Sequence, residues 1–284
     1  MSRAFPDTSP AAPPVRLSRG FSASAWWTLF RVSVRQFVRG KRLLTLAALL
    51  ALPTALALLI RYHDPEFPGN RGEVEEILIF YMFPQALVPL TALILASGMI
   101  RDEAEGQTLT YLLIRPLPRP SIYAAKLLAA WGVAAALVAV FMTATLAAVH
   151  WGADDFWGAI VPGRSARVAG LSALSLLVYT ALFGGLSLLV RWVLLFGVAY
   201  IVLFEGLFAN VDFVFRRLTV LWYDRILAER WLGLHVESWS INLDEAPTGT
   251  EALLTLLTAA LVLSFGAGLL FGSREIRMKT PEGD

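Results

Sequence analysis

Six stretches of this sequence carry almost no charge: residues 43–60, 77–100, 127–149, 168–190, 193–210 and 252–271. Each is 18 to 24 residues long. A bilayer core about 30 Å thick takes roughly 20 apolar residues as a helix, so each stretch is long enough to cross it. Only 16% of the chain is charged, against about 25% in an ordinary soluble domain. These features exclude a soluble enzyme and a disordered chain. They also exclude an outer-membrane barrel, whose strands alternate over about 10 residues. The expected fold is an all-α polytopic membrane protein with six transmembrane helices.

The charges between the spans set an orientation. Residues 1–42 carry 8 Lys and Arg, 101–126 carry 4, and 272–284 carry 3, with Arg191 between spans four and five. The alternate segments 61–76, 150–167 and 211–251 carry 2, 2 and 4. The positive-inside rule places both termini in the cytoplasm. The net charge of +2 gives no case for a nucleic-acid partner. Cysteine is absent, which removes disulfides, thiolate zinc sites and redox thiols.

Residues 1–23 are rich in Pro, Ser and Ala, have no apolar core of signal-peptide length, and are expected to be a disordered cytoplasmic tail. Residues 24–41 are too charged to span. At 100° per residue, Trp26, Trp27, Phe30, Val34, Phe37 and Val38 share one arc, with Arg31, Arg35, Arg39 and Arg42 as a stripe beside it. This pattern predicts an interfacial amphipathic helix on the inner leaflet, so membrane lipid is its first partner. Pro53, Pro84 and Pro89 are expected to shape spans one and two. Gly184, Gly185, Gly266 and Gly268 are expected to let helices approach closely. Arg191-Trp192 alone separates spans four and five, which requires a tight hairpin. Residues 211–251 are amphipathic at their start and predict a short helix or re-entrant element on the outer leaflet, anchored by Trp222 and Trp231. Residues 278–284 form a second cytoplasmic tail.

Catalytic motifs are missing. There is no GxxxxGK[ST] phosphate loop and no HExxH. The three histidines, His63, His150 and His235, fall in external segments. The paired carboxylates Glu75-Glu76 are expected to be a solvated end of span two. Serines inside spans read as interhelical hydrogen-bonders.

The loop between spans two and three is more distinctive. Acidic residues fill the first turn of a predicted helix over 101–114, which suits the helix dipole. Leu109, Leu112 and Leu113 give it an apolar face. Pro116, Pro118 and Pro120 end it, and Ser121 is placed to cap span three. A short helix with exposed leucines between two spans is a candidate docking surface; the alternative is a solvated loop whose leucines rest on the bilayer.

The residues Glu103-Ala-Glu105-Gly106-Gln107-Thr108-Leu109, then Leu112-Leu113, Arg115-Pro116, Arg119 and Lys126, resemble the E-x-E-x-G-T-L…LL…P…R…K pattern of ABC-2-type ABC transporter permeases. Gln107 is an insertion relative to that pattern. The ending Phe271-Gly-Ser-Arg274-Glu275-Ile276 is similar to the family's F-x-R-[RK]-D-[IL] tail. The resemblance covers residues 24–277 and implies one transmembrane domain over that range. It also implies that the chain is the membrane subunit of an ATP-binding cassette transporter in the inner membrane. Such a subunit pairs with a second permease copy and docks a separate ATPase subunit, which binds the ATP, so the chain itself needs no cofactor and is not an enzyme. The 101–114 helix and the 24–41 helix are then the coupling elements, carrying ATPase motion into export or another envelope process. An accessory scaffold and an intramembrane enzyme are the alternatives, and co-purification of an ATPase separates the first reading from both.

Glu205 is the only ionisable residue, tyrosines apart, inside a predicted span. A carboxylate at bilayer depth is costly and should face a partner within the bundle. Arg216 or Arg217, folding back from the next element, is the expected partner. A structural bond, a gate or ion-coupling site, and a position in water all remain open for it.

Overall fold

A computed structural model describes residues 22–64, 67, 69–100, 117–153, 156–211, 214–234, 236, 239 and 241–273. Helix is the only regular structure among them. The chain opens with α1 (Ala23–Arg39). Among the described residues, six helices long and apolar enough to cross a membrane follow: α2 (Lys41–His63), α3 (Arg71–Gly98), α4 (Arg119–His150), α5 (Val161–Leu189), α6 (Val193–Asn210) and, last of these, α8 (Gly249–Ser273). Between α6 and α8 lies a shorter helix, α7 (Val220–Leu232). The protein is therefore an all-α, multi-pass membrane protein. Because the number of spans is even, α1 and the end of α8 share one side, here called the basic face. The 101–114 helix lies outside the described residues.

The spans form an inner and an outer group. α3, α4 and α5 are the most buried, while α2, α6 and α8 turn most of their apolar surface outward. Leu194, Leu195, Val202 and Leu203 of α6 are all about half exposed or more. Such a surface is unstable in water but neutral against lipid tails. Specific bonds join the spans. Trp131 of α4 donates its indole N–H to the Ala173 carbonyl of α5 at 2.8 Å, and the hydroxyls of Thr54 and Thr145 pair at 2.9 Å between α2 and α4. Residues 190–192 join α5 to α6 as a short hairpin.

Gly184 makes a close approach possible. A Cβ there would stand 2.7 Å from Met99 Cε and 2.9 Å from the Tyr123 hydroxyl. α3 and α6 depart from the α-helical repeat over Glu76–Leu87 and Ile201–Leu207, where the turns widen to π-helix. Pro84 sits within the first of these stretches.

α1 packs along the start of α4. Its inward residues are Leu29 and Ser33, with Trp26, Val34 and Phe37 partly covered. Trp27 and Val38 remain about half exposed. The arc read from the sequence is thus divided: one part seals onto the bundle, the other faces outward.

Candidate functional site: a carboxylate and a re-entrant helix at bilayer depth

Helix α7 does not lie on the surface. It inserts between α5 and α8 and runs from deep to shallow. Asp224 meets Ser175, the midpoint of α5, and Ala228 faces Val168 and Leu171 near that helix's outer end. The N-terminus of α7 is deeper still, level with Tyr179. At 1.5 Å per residue, Tyr179 is roughly 15 Å from the basic-face end of α5. α7 is a re-entrant helix whose first turn sits near the middle of the bilayer.

That depth creates a physical problem. The first amides of a helix have no partner within it, and no water is present at bilayer depth to satisfy them. Here each finds a side chain. Val220 N–H donates to Glu205 Oε1 at 3.2 Å and Leu221 N–H to Oε2 at 3.0 Å. Trp222 N–H is 3.4 Å from the Thr219 hydroxyl. Glu205 also accepts from the Tyr200 hydroxyl at 3.0 Å, and it is completely buried. A negative carboxylate at a helix N-terminus also suits the dipole. The other end of α7 closes on Gly233, which adopts the left-handed conformation with φ +63° that favours glycine.

Glu205 is therefore held by N–H and O–H donors and not by Arg216 or Arg217, which corrects the partner expected from sequence. Arg216 instead donates to the Trp239 carbonyl at 2.8 Å. The reason is proximity: residues 214–218 form a 3₁₀ turn that brings the backbone of α7, not those side chains, over the carboxylate. Trp222 is likewise buried and is no surface anchor, whereas Trp231 is half exposed.

A second buried pair lies one turn along α7. Ser175 donates to Asp224 Oδ1 at 2.8 Å. Arg225 donates to the Asn210 side-chain oxygen at 2.8 Å, and its guanidinium lies over the rings of Tyr81 and Trp239. Ser175 and Tyr179 are four residues apart on one face of α5: Ser175 bonds Asp224, and Tyr179 lies close to Glu205. Sequence reasoning missed Ser175, Tyr179, Tyr200, Asp224 and Arg225. The four-residue spacing on α5 and the charged pair within an apolar segment were the available signals.

On the side opposite the basic face, Glu75 is buried, not solvated as its position at a span end led us to expect. Its Oε2 meets His150 Nε2 and its Oε1 meets Arg164 Nε, both at 2.9 Å. Three helices converge there: α3, α4 and the start of α5. No cluster of His, Asp and Glu able to hold a metal occurs among the described residues.

The basic face holds the remaining sequence candidates. Trp26 donates its indole N–H to the Ser121 carbonyl at 3.0 Å. Trp26 and Trp27 both stack on Phe30, and the Arg31 guanidinium lies 5.1 Å from the Trp27 ring centre. Arg35 is exposed on the same helix. Arg119 donates to the Gly272 carbonyl at 3.3 Å. Lys126 is buried and donates to the Met99 carbonyl at 3.1 Å, at the end of α3. Ser121 is not the cap of α4: Pro118 holds that place, and the Ser121 hydroxyl donates to its carbonyl at 2.7 Å. Glu103, Glu105, Gly106, Thr108, Leu109, Leu112 and Arg115 lie outside the described residues.

The family model for an ABC-2 family transporter protein matches residues 39–204. That stretch contains α2 to α5 and most of α6, and it stops one residue before Glu205. No curated protein matches the chain. With more than half of its length matched, the chain belongs to the ABC-2 family of transporter membrane proteins.

Proposed function

We propose that the protein is the permease subunit of an ABC transporter in the inner membrane, with both termini cytoplasmic and residues 24–277 acting as one transmembrane domain. A separate ATPase subunit binds and hydrolyses ATP and docks on the basic face. A second permease copy completes the pathway, and the assembly drives export or another envelope process. The family match carries this reading. The construction of the basic face supports it: the segment 101–116 links the end of α3 to the start of α4, and the Lys126 bond to the Met99 carbonyl joins these two helices beside it. α1 is fixed to the same place through Trp26 and Ser121. A push on that segment or on α1 passes directly into α3 and α4. The acidic, leucine-bearing 101–114 segment is the main contact, with Glu103 and Glu105 at its rim, and α1 is the second.

Burying a leucine contributes about 1.5–3 kcal/mol, so Leu109→Asp/Leu112→Asp should reduce ATPase capture well over tenfold. Charge reversal at Glu105 should do far less, because an exposed ion pair is worth about 0–1 kcal/mol. The measurement is pull-down of the ATPase subunit by the tagged permease. Wild-type capture by the double variant would overturn the docking assignment. Absence of any ATPase from the wild-type preparation would favour a scaffold.

A further inference from the structure

Two buried donors beside α7 call for an acceptor. The Arg225 Nε–H and the Trp239 indole N–H are shielded from solvent, and neither meets a hydrogen-bond partner among the described residues. The residues that carry them are only 3% and 4% exposed. The rest of the Arg225 guanidinium is engaged, with one terminal nitrogen 2.8 Å from the Asn210 side-chain oxygen and the other 3.5 Å from the Ala209 carbonyl. It cannot swing to serve Nε without giving up both. A buried donor without an acceptor carries the full desolvation cost of that group, so a polar partner is expected here.

The two residues line one small cavity together with Ser172, Asp224 and Ala228. Its volume is about 20 Å³. About 10–15 Å³ is enough for one water, so the cavity has room for one and little more. The chemistry makes the same choice as the size. Arg225 and Trp239 supply donors, and Asp224, whose Oδ1 is engaged by Ser175, supplies an acceptor. A chloride ion would satisfy the donors but press against the carboxylate. A sodium ion would satisfy the carboxylate but press against the guanidinium. Water accepts two hydrogen bonds and donates a third, and about three is the usual number for a buried water. We infer that this cavity is a binding site for one water, which accepts from Arg225 and Trp239 and donates to Asp224. The water joins the flank of α7 to the stretch that follows it, beside the direct bond from Arg216 to the Trp239 carbonyl. The site stands whether or not an ATPase subunit docks on the basic face.

The test is X-ray radiolysis of the full chain in nanodiscs, with oxidised residues mapped by mass spectrometry. A bound water releases hydroxyl radicals where it sits and labels the side chains that touch it. Trp239 should be oxidised several-fold faster than Trp222, which is of similar burial at 7% exposed but is not part of the cavity lining. A bulk radical scavenger should slow the half-exposed Trp231 about tenfold and Trp239 less than twofold. Ala228→Val adds two carbons to the cavity wall and should lower the Trp239 rate at least threefold while leaving Trp231 unchanged. Trp239→Phe keeps a ring but removes the N–H, and oxidation of Phe80, which also lines the cavity, should fall by a similar factor. Trp239 oxidised no faster than Trp222, or suppressed by the scavenger as strongly as Trp231, would overturn the site. A Phe80 rate untouched by both substitutions would do the same. Should neither variant fold, the wild-type rates with and without scavenger still decide.

Discussion

Glu205→Ala is expected to lower stability by about 2–5 kcal/mol, because a stranded buried polar group costs about 1–3 kcal/mol and this change strands the amides of Val220 and Leu221. The change also removes the desolvation cost of a buried carboxylate, so the two effects compete. Glu205→Gln separates them. It removes the charge but keeps an oxygen for one amide, and it should cost no more than about 1–2 kcal/mol. The expected order is wild type, then Gln, then Ala, read from thermal midpoints in detergent. Protease cleavage within 211–234 should rise in the same order as α7 leaves its seat. A wild-type midpoint and cleavage pattern for Glu205→Ala would remove the capping role. Loss of transport in both variants at normal stability would make Glu205 a gate.

The second large effect is expected at the opposite face. Removing one member of a buried charge pair typically costs about 3–5 kcal/mol. The Arg164 side chain is 33% exposed, so water recovers part of that, and Glu75→Ala should cost about 2–3 kcal/mol after this discount. Glu75→Gln keeps an acceptor for His150 and should cost less. If the three helices act as a unit, His150→Ala made on top of Glu75→Ala should add little, since the contact is already gone. Fully additive losses would mean that Glu75 and His150 do not act on each other.

The spans were legible because hydrophobic length is a local property that no tertiary contact can override in a bilayer. Gly184 was legible as a point of close approach, because a missing side chain inside a span has few other uses. What sequence did not reveal was depth. The stretch that became α7 reads as amphipathic, and an amphipathic helix suits both the membrane surface and a polar seam between spans. Only the pairings of Asp224 with Ser175 and of Glu205 with two backbone amides place it inside. They join residues 49 and 15–16 positions apart, beyond any periodic signal. Glu75 was misjudged for a related reason. A carboxylate at the end of a span faces water unless other helices bring a cation over it, and Arg164 arrives from a helix that begins far along the chain.

The seating of α7 also bears on the order in which the protein can be made. Its fixed partners among the spans are Ser175, Tyr200 with Glu205, and Asn210. All of them precede it in the chain. A ribosome feeding this sequence into a membrane delivers the complete polar socket before it delivers the helix that fills it. The re-entrant segment can therefore turn back and lodge at once, without waiting exposed in the lipid. α8 then arrives as the closing stave, packing against a helix already in place.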